Sequence, residues 1–363
     1  MADRFDKLQV EFIDQDESVQ DVADAIGSSG DVPERYVRPE MEADPVIVDA
    51  DGYSLPVIDM SRLIDPEFSE EEIAKLGSAC EDWGFFQLQL VNHGVDGESL
   101  KQVKADVAEF FSLPLQEKMA VAIQPNGLQG FGHHFVFSKD QKLDWVDLLF
   151  LTTRPAEERS MDFWPTNPPT FRDSLDKYSQ EIADVSDKLF KFMAIDLGVD
   201  EEALLGAFKG KPHQSVRINH YPPCRQAADR VLGLSPHTDG VGMTLLLQVN
   251  GVQGLQIRKD GRWFAVQNLP GALIVNVGDV LEIITNGKYR SIEHRAVINP
   301  DKERITIAAF QSAPLSCTVG PLQELLMNGE PRYKTVDGVE FTKGYFAAKL
   351  EGRRYLESLK LGV

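Results

Sequence analysis

From about residue 213 the chain divides into short β-prone runs set apart by turn residues: SVRINHY, GLSPHTD, MTLLLQV, GLQIRKDGRWFAV, ALIVNVGDVLEII, YRSIEHRAVI and RITIAAFQ. Many short strands at this spacing suggest a β-sandwich or jelly roll. The Asp260-Gly261 pair between GLQIRK and RWFAV is a hairpin signal.

Upstream the pattern changes. Residues 1–54 are acidic and weakly patterned, with Pro33, Pro39 and Pro45 breaking any long helix; they read as a peripheral arm carrying one short helix. LPVIDM (55–60) has the look of a first strand. Ser69 and Glu72 stand at capping-box spacing ahead of a helix with Ile73, Leu76, Cys80 and Trp83 on one face, and Gly84 is placed to end it. FFQLQLVNH (85–93) reads as a strand. A second helix carries Leu100, Val103, Val107, Phe110 and Phe111, stopping before Pro114. Residues 124–170 read as a long loop with a hairpin. Around 171–196, Leu175, Tyr178, Ile182, Val185, Leu189 and Phe192 repeat at steps of three and four; with fewer than three heptads, a core-packing helix is expected. A last helix is expected near 343–360. The divisions are therefore 1–54, 55–170, 171–212, 213–315 and a helical extension over 316–363.

Composition narrows the function. Hydrophobic residues make up 42% and charged residues 26% of 363 positions, enough for a real core. A net charge of −20 argues against nucleic-acid binding, because the average surface repels a polyanion. Cys80, Cys224 and Cys317 form no CxxC pair, and neither a signal-peptide pattern nor an 18-residue apolar run occurs. We expect a cytoplasmic monomer acting on a small molecule, away from nucleic acid and membrane.

HExxH, GxSxG, GxxxxGK[ST] and helix-opening GxGxxG motifs are absent. Histidine among strands remains. In SPHTDG, His237 and Asp239 are one residue apart, and on a strand such residues face one side. His294 in SIEHRAV is the third candidate. Two histidines and a carboxylate on one face of a metal leave positions free, as in non-heme iron(II) oxygenases, although zinc hydrolases use such ligands too. Ten residues on, Arg304 and Thr306 share a strand face behind a turn at Asn299, Pro300 and Asp301. A guanidinium and a hydroxyl pointing into a metal-bearing barrel make a clamp for a carboxylate; the alternative for Arg304 is a surface hairpin charge.

The HTD motif, the SIEHRAV histidine and the RIT segment together resemble the plant 2-oxoglutarate/Fe(II)-dependent dioxygenase superfamily. INHYPPC (218–224) looks like that family's NYYPPC box, and WGFFQLQLVNHGV (83–95) like its WGFFQLVNHGV box. The wording is most similar to the norcoclaurine synthase-like and morphinan O-demethylase-like group. The resemblance implies a β-rich α+β fold: a distorted double-stranded β-helix, or jelly roll, with helices packed outside. It implies His237, Asp239 and His294 as Fe(2+) ligands, and Arg304, Thr306, Tyr221 and Asn219 as contacts of 2-oxoglutarate. O2 is the further co-substrate and ascorbate an expected reductant. It puts Phe310 against the organic substrate, and His133, His134 and Phe135 of QGFGHHF in the pocket wall, with Phe131 and Val136 at its rim.

Three departures stand out. Thr306 replaces the family's serine but keeps a hydroxyl. His220 replaces a tyrosine and is expected to face core or solvent. QLQL at 87–90 adds two residues, which shifts the strand pairing or forces a bulge. His93 and His213 are expected to be structural. The implied activity is hydroxylation, desaturation or O-demethylation of a small aromatic or apolar metabolite. The alternatives are an ascorbate-driven oxidase with the same triad, a non-catalytic small-ligand-binding protein and, more remotely, a zinc hydrolase.

Overall fold

The computed structural model describes residues 18–27, 30–39, 41, 46–47, 54–89, 95–124, 127–133, 141–208, 213–326 and 329–362. Its larger sheet is built from β2 (Val57–Asp59), β3 (Phe85–Gln89), β4 (Gly130–Gly132), β5 (Asp147–Arg154), β6 (His213–Tyr221), β8 (Met243–Gln248), β11 (Ala272–Val277) and β13 (Arg304–Ser312), in the order β2-β3-β11-β8-β13-β6-β5-β4. The smaller sheet runs β1-β10-β9-β12-β7, from β1 (Val46–Ile47), β7 (Leu232–His237), β9 (Leu255–Lys259), β10 (Arg262–Ala265) and β12 (His294–Val297). Together they form the double-stranded β-helix that the family resemblance implies. A short ladder, β14 (Thr318–Val319) with β15 (Val336–Asp337), follows.

Period-two alternation divides each strand of the larger sheet between two environments. Val216 and Ile218 of β6, Met243, Leu245 and Leu247 of β8, and Ile305, Ile307 and Ala309 of β13 enter the main core. The alternate residues Arg217, Asn219 and Tyr221, Thr244 and Leu246, and Arg304, Thr306, Ala308 and Phe310 line a cavity between the sheets. One face is thus stabilised by apolar burial, which leaves the other free for chemistry.

Helices cover the core face. They are α2 (Met60–Ile64), α3 (Ser69–Asp82), α4 (Gly97–Ser112), α5 (Leu115–Lys118), α6 (Phe171–Leu197) and α7 (Glu201–Ala207). Leu175, Tyr178, Ile182, Val185 and Leu189 of α6 are buried, and the stripe continues through Phe190 and Met193 while Phe192 is only partly covered. That drift is expected, since 3.6 residues per turn falls out of step with a seven-residue repeat. Gly198, at φ 71°, terminates α6, with Val199 N–H donating to Ala194 O. Gly84, at φ 60°, follows the end of α3 and donates to Ala79 O; a Cβ there would lie 2.1 Å from Arg290 O.

Several expectations are corrected. No capping box forms at Ser69: it lies inside α3 and its hydroxyl donates to Leu63 O, while the Glu72 carboxylate accepts Asp59 N–H and pairs with Arg62. LPVIDM is strand only over β2, because Met60 already begins α2. The hairpin expected within 124–170 is the antiparallel pair of β4 and β5, but β5 is more than a loop strand, since it is also a full neighbour of β6. DVLEII is a helix, α8 (Asp279–Ile284), with every residue buried; a short apolar run shows no period that separates helix from strand. The terminal helix is two, α9 (Gly338–Leu350) and α10 (Tyr355–Leu359), parted near Gly352 at φ 65°. The Asp337 side chain caps α9 by accepting Glu340 N–H. The β3–β11 ladder pairs in regular register from Phe85 to Gln89, so the extra QL pair forces no bulge there; residues 90–94, including His93, lie outside the described residues.

In the amino-terminal arm, α1 (Val19–Ile26) is anchored through Val19 N–H and Gln20 N–H, both donating to the Asp147 carboxylate. Val19, Val22 and Tyr36 join Trp145 and Tyr221 in a second apolar cluster. Among the described residues no helix is long and apolar enough to cross a membrane.

Candidate metal centre and co-substrate cavity

β7 and β12 are neighbours, and their register sets His237, the last residue of β7, directly opposite His294, the first of β12. The two imidazole centres are 4.3 Å apart. Asp239 lies in the turn just past β7. Its Oδ1 comes within 3.5 Å of His237 Nε2 and 3.7 Å of His294 Nε2. Among the described residues, these three form the one group of histidine, cysteine or acidic side chains able to hold a metal ion.

The surroundings prepare each ligand. His237 Nδ1 lies 2.8 Å from Ser235 O, and His294 Nδ1 lies 3.1 Å from Ile292 O. A carbonyl can only accept, so in a neutral ring each Nδ1 carries the hydrogen and each Nε2 presents its lone pair. Burial, then the neighbouring His294 and Lys349, push His237 down to about 3, keeping it neutral. Burial opposes ionisation of Asp239, but His294, His237 and the Asn276 amide hold its carboxyl well below the usual range. The Asp239 Oδ2 oxygen accepts Thr244 Oγ1–H at 2.7 Å and Asn276 Nδ2–H at 2.8 Å, which leaves Oδ1 for a metal.

Along β13, Arg304 pairs with Tyr221 and Thr306 with Asn219 across the ladder to β6. Arg304 is only 2% exposed, with its guanidinium carbon 5.2 Å from the centre of the Tyr221 ring. Gln248 Oε1, at 3.4 Å from Nη2, is a distant partner. Arg304 Nε and Asn219 Oδ1 are buried without hydrogen-bond partners. Leaving such groups unmatched costs on the order of 1–3 kcal/mol each, more for a charge, so a guanidinium in this position calls for an anion. The residues suit both groups of an iron/keto-acid enzyme: two imidazoles and a carboxylate for a divalent metal, and a buried cation with a hydroxyl for a far carboxylate.

The cavity that holds both sets measures about 520 Å³. Phe85, Leu234, Phe310, Leu315, Phe341 and Phe346 give it largely apolar walls. Residues 55–167 match the family model for the non-haem dioxygenase in morphine synthesis N-terminal region, and residues 212–313 match the 2OG-Fe(II) oxygenase superfamily. The chain is 49% identical to 2-oxoglutarate-dependent dioxygenase 11 of Oryza sativa subsp. japonica, over 91% of this chain and 92% of the relative.

The chain belongs to the 2-oxoglutarate/Fe(II)-dependent dioxygenase family.

It is also 46% identical to S-norcoclaurine synthase 1 of Coptis japonica, over 91% of this chain and 92% of that one. The crystal structure of JOX2 in complex with 2OG, Fe and JA superposes with a TM-score of 0.85 at 33% identity, covering 97% of this chain and all of that one. The protein is thus an oxidoreductase that uses iron(II) and 2-oxoglutarate.

Not every expected residue of this dioxygenase reaches the cavity. Phe310 lines it. His133 does not: its Nε2 is 3.6 Å from Asp147 Oδ1, at the amino end of α1. Phe131 is core, packed on Phe110 and Phe111. The same loop reaches the cavity through Leu128 and Gln129 instead, and a loop's sequence does not say which of its sides faces inward. His134, Phe135 and Val136 lie outside the described residues. His213, expected to be structural, is the first residue of β6 and lines the cavity. His220 is buried beside Phe111, with Nε2 2.8 Å from Glu303 Oε2.

Other lining residues of the dioxygenase were not anticipated. Arg217 shares the period-two face of Asn219 and Tyr221, a signal present in RINHY itself. Phe341, Tyr345 and Lys349 stand four residues apart on α9, so they fall on one helical face. Tyr345 OH donates to Thr238 O at 2.8 Å, tying that helix to the HTD turn.

Proposed function

We propose that this dioxygenase oxidises a small, largely apolar or aromatic molecule held beside His237, Asp239 and His294. The observation that carries this reading is the convergence of two Nε2 atoms and one carboxylate oxygen at a wall of the same cavity that buries Arg304, whose Nε has no hydrogen-bond partner. When bound, iron(II) and 2-oxoglutarate supply oxidising power from O2, with the keto acid leaving as succinate and carbon dioxide. Ascorbate serves as external reductant.

The chain's own part is binding, orientation and exclusion of water. His237 and His294 offer fixed lone pairs because Ser235 O and Ile292 O hold their Nδ1 hydrogens. Asp239 offers one oxygen because the other is occupied. Arg304 and Thr306 grip the far carboxylate of 2-oxoglutarate, and Asn219 and Tyr221 border it. Phe85, whose ring meets His294 edge-on at 5.3 Å, and Phe310 keep the reacting carbon in a dry, oriented position. Hydroxylation, desaturation and O-demethylation all follow from removing hydrogen from a carbon held there. A net charge of −20 favours a monomer without nucleic-acid or anionic membrane partners, and we take the cytosol as its compartment.

The test is a metabolite panel with purified iron-loaded protein, following succinate release and product mass. Substrate-stimulated succinate is expected, and neither His237→Ala nor Asp239→Ala should sustain it although both remain folded. Full turnover by either variant would refute the triad.

A further inference from the structure

β7 ends at His237, so the ladder that sets His237 opposite His294 does not extend to Asp239. Other groups must fix the turn that carries this third ligand. Asp279, the first residue of α8, grips that turn at two points. Its N–H donates to Asp239 O at 2.7 Å, and its Oδ2 accepts Thr238 Oγ1–H at 3.1 Å. Across the centre, the segment that leads into His294 is held at Ser291, whose N–H donates to Glu282 Oε2 at 2.5 Å. The next carbonyl along, that of Ile292, is the one beside His294 Nδ1.

The two ligand-bearing segments thus hang on Asp279 and Ser291, and one side chain reaches both. Arg354, at the amino-terminal cap of α10, donates from Nη2 to Ser291 O at 3.1 Å, and the same nitrogen is 3.9 Å from Asp279 Oδ1. Its Nη1 lies 3.9 Å from Glu357 Oε1 of its own helix. The preceding Arg353 behaves as a surface charge: it is exposed and pairs with Glu351 two residues away. Arg354 turns inward instead, toward a carboxylate that is only 1% exposed. A carboxylate buried to that degree is unfavourable without a cation or several donors beside it. A guanidinium can serve it and a carbonyl together, because its donors are spread over a fixed plane.

We propose that Arg354 is a positioning residue of the metal centre, tying the turn that carries Asp239, through Asp279, to the segment that leads into His294. This rests on the oxygenase reading above. Ligands drawn from two separate strand ends keep their geometry only when the groups behind them are held, and displacements of about 0.5 Å already matter. Arg354 touches none of the three ligands; it limits how far the two ends part.

Competition titration with Mn(II) and the visible spectrum of the Co(II)-loaded full chain test this. Arg354→Met should weaken Mn(II) binding about three- to ten-fold, less than the roughly ten- to hundred-fold effect of a group bonded directly to a ligand. It should also alter the Co(II) bands, which report the arrangement of the donors. Arg354→Lys keeps a cation that can reach Asp279 or Ser291 O without bridging them as a planar fork, and should recover part of the affinity. Leu356→Ala is the comparison: it opens a void beneath the same helix at a fully buried position, and should lower Tm with metal affinity and bands as in the wild type. Should Arg354→Met fail to fold, Arg354→Gln, which can still donate to Ser291 O, is read in its place. Wild-type affinity and bands in the Arg354 variants, or the same losses in Leu356→Ala, would overturn the proposal. Failure of the oxygenase reading is seen in the wild type alone, which when loaded with iron would release no succinate with any compound.

Discussion

Asn276 donates its side-chain amide to Asp239 Oδ2 at 2.8 Å, and with Thr244 on the same oxygen that contact selects which half of the carboxylate faces the histidines. Asn276→Ala should therefore weaken metal binding about ten- to a hundred-fold, the usual effect of losing a group that orients a ligand. Competition titration with Mn(II) measures it. An unchanged affinity would mean that Thr244 alone orients the carboxylate.

Arg304→Ala should raise the 2-oxoglutarate KM from about thirty-fold to several-hundred-fold, corresponding to a loss on the order of 2–4 kcal/mol for a desolvated charge-assisted contact. Thr306→Ser keeps the hydroxyl and should be nearly neutral. Steady-state kinetics with the keto acid varied at saturating organic substrate distinguish the two. Equal KM values for Arg304→Ala and wild type would remove Arg304 from the clamp.

Gly254 lies against the clamp from behind. A Cβ there would sit 2.7 Å from Val297 O and 2.8 Å from Arg304 Cδ, and backbone does not yield easily. Gly254→Ala should displace the guanidinium, raise the same KM roughly ten-fold and cost about 1–3 kcal/mol of stability. Thermal melts and kinetics should move together; a stability loss with unaltered KM would show that Arg304 adapts.

Lys349 gives a pH dependence. Burial and Arg217 depress it from 10.5 to about 8, so the folded state disfavours its charged form. Its favourable contribution is fully present above 10.5 and is lost as pH falls through about 8. Lys349→Met should accordingly stabilise the apoprotein at pH 7, by roughly 2 °C in Tm for a gain of about 1 kcal/mol. That advantage should shrink between pH 8 and 10.5. A variant less stable than wild type at pH 7 would show that the contacts of the lysine outweigh the cost of burying its charge.

Much of the site was readable because strand alternation is a local property. Arg304 with Thr306, and Asn219 with Tyr221, follow from a period of two, and each step recurs in the β13–β6 register. His237 and Asp239 were readable as a pair although Asp239 lies past the strand end, since the turn preserves their common side. Arg217 was legible by the same alternation but had no partner in sequence to suggest a role; its companion Lys349 comes from a helix 132 residues on. The α8 segment could not be read because all six residues are buried, which erases any period. His133 and Phe131 failed for another reason: the direction a Gly-rich loop presents is decided by what packs on it, here α1 and the Phe110–Phe111 pair.

The contact of Tyr345 with Thr238 has a genetic consequence. Every residue assigned to metal and co-substrate precedes Ser312, whereas α9, which closes the cavity, is encoded afterwards. Val319, Val336 and Phe341 belong to the main core as well, so it is substitution at cavity-facing positions of α9, not loss of the segment, that would reshape one wall of the chamber and spare the residues assigned to metal and co-substrate. Such a variant would still consume keto acid while its choice of target changes. Divergence in substrate between gene copies can by the same route be written in the codons of α9 alone.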